Sequence, residues 1–514
     1  MPEPYFVTEV ERQLAGRRKK WQPLRILLLV IAVVIAYLAL TGLVMLTRHG
    51  TPRYESIVQH FKYGSIGSEP ESGIPYRVWM ALPKLFPENF ENRNDYTAFG
   101  FLYEKDARGR QRDLPIGVSR RTVNGVDLVW LNCAICHTGT YRQKAGDPPT
   151  IVPGMPSNNL HFESFVRFIL AAATDEKLAP ETMMPAVEAV GPRFGTMELL
   201  AWKSVVLPRL REGLLLRFNQ VSPLLKRQPD WGPGRVDTFN PYKVGPFKIP
   251  AASLTDAEVI GASDFPSIFE QGPREGMHLH WDGNNTSLAE RNLSAALGAG
   301  VTPQTVDHGA IDRVADWLLN LKPPPSPFSP DPSAVERGRA VYMTACSGCH
   351  GYKDASGYVF KGNALGQVDP IDKIGTDRAR LDSYTEEFRQ RQLNELFADT
   401  PYAFKNFKKT DGYANMPLDG LWLRGPYLHN GSVPTLRDLL NPPDQRPVAF
   451  LRDSDVVDGA NGGFVSPPCD PSQTQLTGFC YDTSQTGNHN SGHLYGTDLP
   501  AAQKGDLLAY LLTF

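Results

Sequence analysis

Hydrophobic and polar positions divide the chain into regions of different character. Ile26 to Leu46, "ILLLVIAVVIAYLALTGLVML", is an unbroken apolar run without a charge. It is long enough to cross a bilayer as a helix. Much later, "AIDRVADWLLNL" places Ile311, Val314, Trp317, Leu318 and Leu321 at helical spacing, the pattern of a helix with one buried face. The chain's end, "AAQKGDLLAYLLTF", repeats that pattern with Leu507, Leu508, Tyr510 and Leu511. Between residues 160 and 275 the stretch "LLAWKSVVLPRLREGLLLRFNQV" reads as a further helix, scaffold or pocket wall, whose apolar residues belong to a core.

The proline-rich stretch "LKPPPSPFSPDPS", Leu321 to Ser333, is the clearest boundary. After it, Ser333 and Glu336 have the spacing of a capping box and predict the start of the next helix. The division expected is a cytoplasmic tail at 1–23, an anchor at 24–46, one domain at 47–325 and a second at 326–514. The 45 glycines and 44 prolines predict long ordered loops between short helices. A net charge of -2 supplies no electrostatic footprint for nucleic acid.

Charge also orients the apolar run. Arg12, Arg17, Arg18, Lys19, Lys20 and Arg25 precede it, whereas only Arg48 and Arg53 closely follow. The positive-inside rule puts the N-terminus in the cytoplasm and everything after residue 47 outside, in the periplasm if the membrane is a bacterial inner membrane. The rival reading is a cleaved signal peptide. Its apolar region would be unusually long, and no small-x-small cleavage site follows.

Six cysteines carry the chemistry. Four sit in two copies of C-x-x-C-H, Cys133–Cys136–His137 in "NCAICHTG" and Cys346–Cys349–His350 in "ACSGCHG". A four-cysteine zinc site would not require a histidine after each pair, and a thioredoxin-like motif needs a βαβ context. C-x-x-C-H is the attachment motif of haem c: the thiols add to the porphyrin vinyl groups and the histidine becomes the proximal iron ligand. Two covalent haems are therefore expected. Each half then reads as a C-x-x-C-H helix, a loop-rich middle and a closing amphipathic helix. That predicts a mainly α, loop-rich fold of two cytochrome c-like domains in tandem, the first with a large insertion, behind one transmembrane helix. Cys469 and Cys480 are close together and face an oxidising compartment, so a local disulfide is expected, with two free thiols as the alternative.

Three further stretches, "HWDGNNTSLAERN", "GLWLRGPYLHNGSVPTLRDLL" and "GHLYGTDL", resemble the bacterial di-haem cytochrome c peroxidase superfamily. Together they look closest to the branch that holds the rubber-cleaving di-haem oxygenases and their membrane-anchored relatives. The resemblance implies that Trp281 lies between the two haems. The positions where peroxidases carry a glutamine and a catalytic glutamate hold Arg291 and Val301, and the position of their distal methionine holds Pro443. It implies His493 as the second axial ligand of the C-terminal haem, with Met416 as the rival and His429 as a loop histidine near the domain interface. For the N-terminal haem, His161 and Met155 are the sixth-ligand candidates, against an open position. Arg291 and Asn292 become hydrogen-bond donors above that iron, or else Arg291 pairs with Glu290.

The function implied is an oxidoreductase that activates dioxygen or peroxide at the N-terminal haem, with the C-terminal haem as electron relay. A non-catalytic respiratory electron carrier, a cytochrome c peroxidase and a sensor or assembly partner are the alternatives. The partners implied are the membrane, a small cytochrome c or the quinol chain, and an unidentified small-molecule substrate. A Ca2+ ion enters by family analogy alone.

Overall fold

The computed structural model describes residues 5–473 and 478–514. A single helix, Tyr5–Thr47, opens the chain, and its Pro23–Val44 portion is long and apolar enough to cross a membrane and lies outside the packed core. By length and composition it suits a membrane anchor or a signal sequence. The rest is helix-rich and loop-rich, with one three-stranded and five two-stranded antiparallel sheets among the described residues.

The best-defined packing unit closes the chain. Helix Pro332–Ala345 runs into the second C-x-x-C-H and crosses helix Ala501–Leu511. A Cβ at Gly338 would fall 1.8 Å from the backbone oxygen of Asp506, so only glycine allows the two helices this close. Tyr342, Leu507, Leu508, Tyr510 and Leu511 form the apolar cluster beneath the crossing. The cap differs from the expectation at Ser333 and Glu336. Asp331 is the N-cap, its side chain accepting from Ala334 N at 2.9 Å, and Pro332 takes the first helical turn. Proline is preorganised for that position and has no N–H to satisfy, which shifts the start upstream.

The first C-x-x-C-H is not on a helix of that kind, which corrects the expected symmetry of the two halves. It follows a hairpin of strands Val118–Val123 and Val126–Leu131 and lies at a 3-10 turn, Cys133–Ile135. Asn132 caps that turn, accepting from Ala134 N at 2.9 Å. The short helix packed against the turn is Ile57–Tyr63, which also packs on His308–Leu318, with the Phe61 and Trp317 rings 5.1 Å apart. The strongly apolar core around Trp79, Tyr96, Phe101 and Phe165 fills the space between the hairpin and helix Phe162–Thr174.

Cys469 and Cys480 are disulfide-bonded, with Cα atoms 6.0 Å apart. Cys480 begins a strand paired with Ala449–Leu451. The middle of the loop they close, residues 474–477, lies outside the described residues.

Candidate haem site

Each C-x-x-C-H histidine is held the same way. His137 Nδ1 donates to the Pro266 carbonyl at 3.0 Å, and His350 Nδ1 donates to the Met416 carbonyl at 2.8 Å. A backbone acceptor at Nδ1 fixes the ring and its tautomer and leaves Nε2 as the free lone pair, the arrangement metal-ligating histidines adopt. Burial depresses both histidines, and beside His137 the Arg291 guanidinium adds to the effect, down to about 3. Both rings are thus neutral at physiological pH.

The four motif cysteines are not disulfide-bonded. As free thiols they would be held protonated, Cys133 and Cys346 each pushed up to about 11 chiefly by burial. Thiolate chemistry is therefore disfavoured. Cysteine pairs free of disulfides, next to an imidazole with a free Nε2, fit covalent haem c.

Opposite His350 stands His493. Their ring centroids are 6.2 Å apart. Two imidazoles on opposite sides of one metal, each bonded at about 2 Å, put their centroids roughly 6 Å apart. The Nδ1 atom of His493 is buried without a hydrogen-bond partner, and burial with the neighbouring His350 pushes its pKa down to about 3. The backbone that carries it is tightly clamped. His493 N donates to Ile374 O at 2.8 Å, Arg446 Nη1 donates to Gly492 O at 2.9 Å, and a Cβ at Gly492 would meet Gly375 at 2.3 Å.

Met416 turns its carbonyl toward the proximal side of this site, on His350. His429 is buried, stacked on Tyr413 at 4.1 Å, with its Nε2 2.9 Å from the Tyr413 hydroxyl. It sits where Asp264 N donates to its carbonyl at 2.9 Å. Pro443 begins a surface-side 3-10 turn.

Around His137 the charged neighbour is Arg291. Helix Leu288–Gly298 carries this guanidinium inward, where burial and Arg274 lower its pKa to about 10. Arg291 does not pair with Glu290. That carboxylate instead accepts from Lys405 N at 2.9 Å and from Asn406 N at 3.0 Å. Asn292 points elsewhere and donates to Gln271 Oε1 at 3.3 Å. Val301 belongs to an apolar cluster with Leu293 and Ile311 and offers no proton-transfer group. Met155 is fully buried against Phe269 and Trp422, and His161 heads helix Phe162–Thr174 with its N–H on Phe99 O. Among the described residues no second imidazole stands opposite His137 as His493 does opposite His350.

Two further residues belong to this site, and neither was singled out in the sequence. His280 shares a cleft of about 400 Å³ with Arg291, Ser267 and Met416. Its Nδ1 donates to Asn284 Oδ1 at 2.6 Å, and burial lowers its pKa to about 4. Arg274, also on that cleft, is buried in an ion pair with Asp419. The only local signal was "HLHWDG", with His280 beside the tryptophan.

Trp281 lies on the neighbouring cleft of about 640 Å³, which it shares with Ser267, Met416 and Arg424. Its indole N–H donates to Asp264 O at 2.7 Å, and its carbonyl accepts from Ala414 N at 2.9 Å.

Residues 412–451 match the family model described as RoxA-like, cytochrome c-like. The chain is similar to RoxA-like cytochromes. The matched segment supplies the Met416 carbonyl on His350, and a cytochrome c-like domain implies haem c. The chain is also 28% identical to the uncharacterized protein y4iJ of Sinorhizobium fredii over 483 residues, 77% of this chain and 78% of that protein. It is 29% identical over 247 residues to the uncharacterized protein y4iM of the same organism. That match covers 45% of this chain and spans 56% of y4iM, little more than half its length. Among the described residues no group of three or more histidine, cysteine or acidic side chains is arranged to hold a separate metal ion such as Ca2+.

Proposed function

We propose that the chain is a membrane-anchored, periplasm-facing oxidoreductase carrying two haems c, with the reactive site at His137 and a relay site at His350. The observation that supports this most is the contrast between the two proximal histidines. His350 faces the imidazole of His493 at 6.2 Å, whereas His137 has no such imidazole among the described residues and feels the charge of Arg291. A haem closed by two imidazoles exchanges electrons, and one with an unfilled axial position binds and activates small oxidants such as dioxygen or peroxide.

The protein's own groups have distinct tasks in this reading. Cys133 and Cys136, like Cys346 and Cys349, hold the porphyrin, and Pro266 O and Met416 O orient the two proximal rings. Arg291 donates charge-assisted hydrogen bonds to an anionic or strongly polar ligand beside His137. His280, neutral above about pH 4, faces the same cleft as a hydrogen-bonding partner. Val301 cannot move a proton, so peroxidase use is expected to be weak. General acid–base help of that kind contributes about a hundred- to ten-thousand-fold. Trp281, Ser267 and Met416 border the clefts on the way from one site to the other and serve electron passage.

The test is the absorption and electron-paramagnetic resonance spectrum of the purified protein, with and without carbon monoxide. One low-spin and one carbon-monoxide-binding haem support the proposal. Two low-spin haems that ignore carbon monoxide would refute it in favour of an electron carrier.

A further inference from the structure

The helical arm that runs from Thr196 to Leu225 buries one side and leaves another uncovered. Trp202 and Leu207 belong to the large apolar core, and Leu224 and Leu225 are buried at its far end. Yet Leu200, Val205 and Leu216 are 57%, 43% and 58% exposed. Regular α-helical geometry, at 100° per residue, would put Val205 about 140° around from Leu200. A π turn at Trp202–Val206 takes up an extra residue and narrows that angle, and both side chains are on the exposed side of the arm. The exposed leucine and valine therefore form one stripe.

The start of the arm, Thr196–Ala201, packs on the N-terminal helix. On that helix, Leu38, Thr41 and Gly42 are the part-shielded positions of an otherwise exposed stretch, and their spacing defines a single face. Leu38 lies six residues before Val44, the end of the membrane-crossing portion, which is about 9 Å along the axis. An interfacial helix buries its apolar face about 5–10 Å into the headgroup–acyl boundary. Exposed Arg193, Lys203 and Arg209 flank the stripe against a single exposed acid, Glu212.

We propose that Thr196–Val206 is a second membrane contact, an interfacial segment that inserts Leu200 and Val205 into an anionic bilayer beside the anchor. The proposal rests on the reading of Pro23–Val44 as a membrane span. It would hold the haem region at a set height and tilt over the membrane, since a single span alone fixes neither.

Full-length protein in phosphatidylethanolamine–phosphatidylglycerol vesicles containing a phosphatidylglycerol with a diazirine on its acyl chain provides the test. After illumination, lipid adducts are mapped by mass spectrometry. Adducts are expected both in 24–44 and in 196–206. In the L200E/V205E variant the arm's adducts should fall to background while those in the span persist and the haem spectrum stays unchanged. Labelling of the span alone in the wild type, or arm labelling that survives L200E/V205E, overturns the proposal. Arm labelling without span labelling supports the arm and rejects the anchor; labelling of neither rejects both.

Discussion

Replacing Arg291 with methionine keeps the length of the side chain and removes its charge. Arg291 is 9% exposed and its charge acts on both His137 and Cys133. Burial and Arg274 bring its pKa from 12.5 down to about 10, yet it remains charged at pH 7. At 1.36 kcal/mol per tenfold, that fall corresponds to about 3 kcal/mol by which the charge is disfavoured without an anion beside it. A hydrogen bond to a charged group is independently worth about 1.5–3 kcal/mol. Arg291→Met should therefore weaken azide binding at the N-terminal haem by about 10- to 150-fold, measured by optical titration. Carbon monoxide, neutral and a poor hydrogen-bond acceptor, should keep its affinity within about threefold, an effect below 1 kcal/mol. The thermal midpoint should not fall, because the substitution removes a buried charge without a carboxylate partner. Equal losses of azide and carbon monoxide affinity would mean that Arg291 shapes the cavity sterically, and unchanged azide binding would remove it from the site.

Other outcomes follow from the same geometry. His493→Ala should turn one low-spin haem high-spin, with added imidazole restoring the low-spin spectrum; an unchanged spectrum would transfer the ligand role to another residue. Cys346→Ala with Cys349→Ala should leave one covalently bound haem after denaturing electrophoresis, the one that responds to carbon monoxide. Trp281→Phe removes the 2.7 Å bond to Asp264 O, at a stability loss of about 1 kcal/mol, and should slow electron exchange between haems without loss of either. For His280 the folded pKa of about 4 lies below the unfolded 6.5, so the unfolded chain takes up the proton first as pH falls. Stability should drop by up to about 3 kcal/mol between pH 6.5 and 4, and His280→Gln should flatten that part of the denaturation profile.

The parts visible in the sequence are those whose signal is local or periodic. The apolar run up to Leu46, the Leu507–Leu511 pattern, the cysteine pair 469 and 480 and the two C-x-x-C-H motifs each announce themselves within a dozen residues. The hairpin before Cys133 was legible too: Asn124–Gly125 lies between alternating positions, and both residues take positive φ in its turn. What was expected on a helix was the first C-x-x-C-H itself, and it lies at a 3-10 turn. Backbone acceptors are a different matter. Nothing in the side-chain pattern marks the carbonyls of Pro266 and Met416 as partners of histidines over 60 residues away. Arg291 shows the third kind of difficulty. Its obvious neighbour, Glu290, is engaged by the backbone of Lys405 and Asn406, a contact that only the folded chain creates.

Those two carbonyls also connect the sites. Pro266 and Ser267 on one side, Met416 and Pro417 on the other, line the cleft that contains Arg291 and His280. A residue before proline is restricted to extended backbone, and proline's own φ is fixed, so both acceptors sit on stiff chain. His350 is thus oriented by a wall of the cleft that holds Arg291. On the proposed function, electron transfer would run through these stiff, packed groups without a loop having to move. The proposed difference in reactivity would then come from what stands on the far side of each ring. On the proposed function His493 would close one and Arg291 would leave the other to an exogenous ligand, so exchanging those two groups, rather than the shared cleft, is what would reverse the roles of the haems.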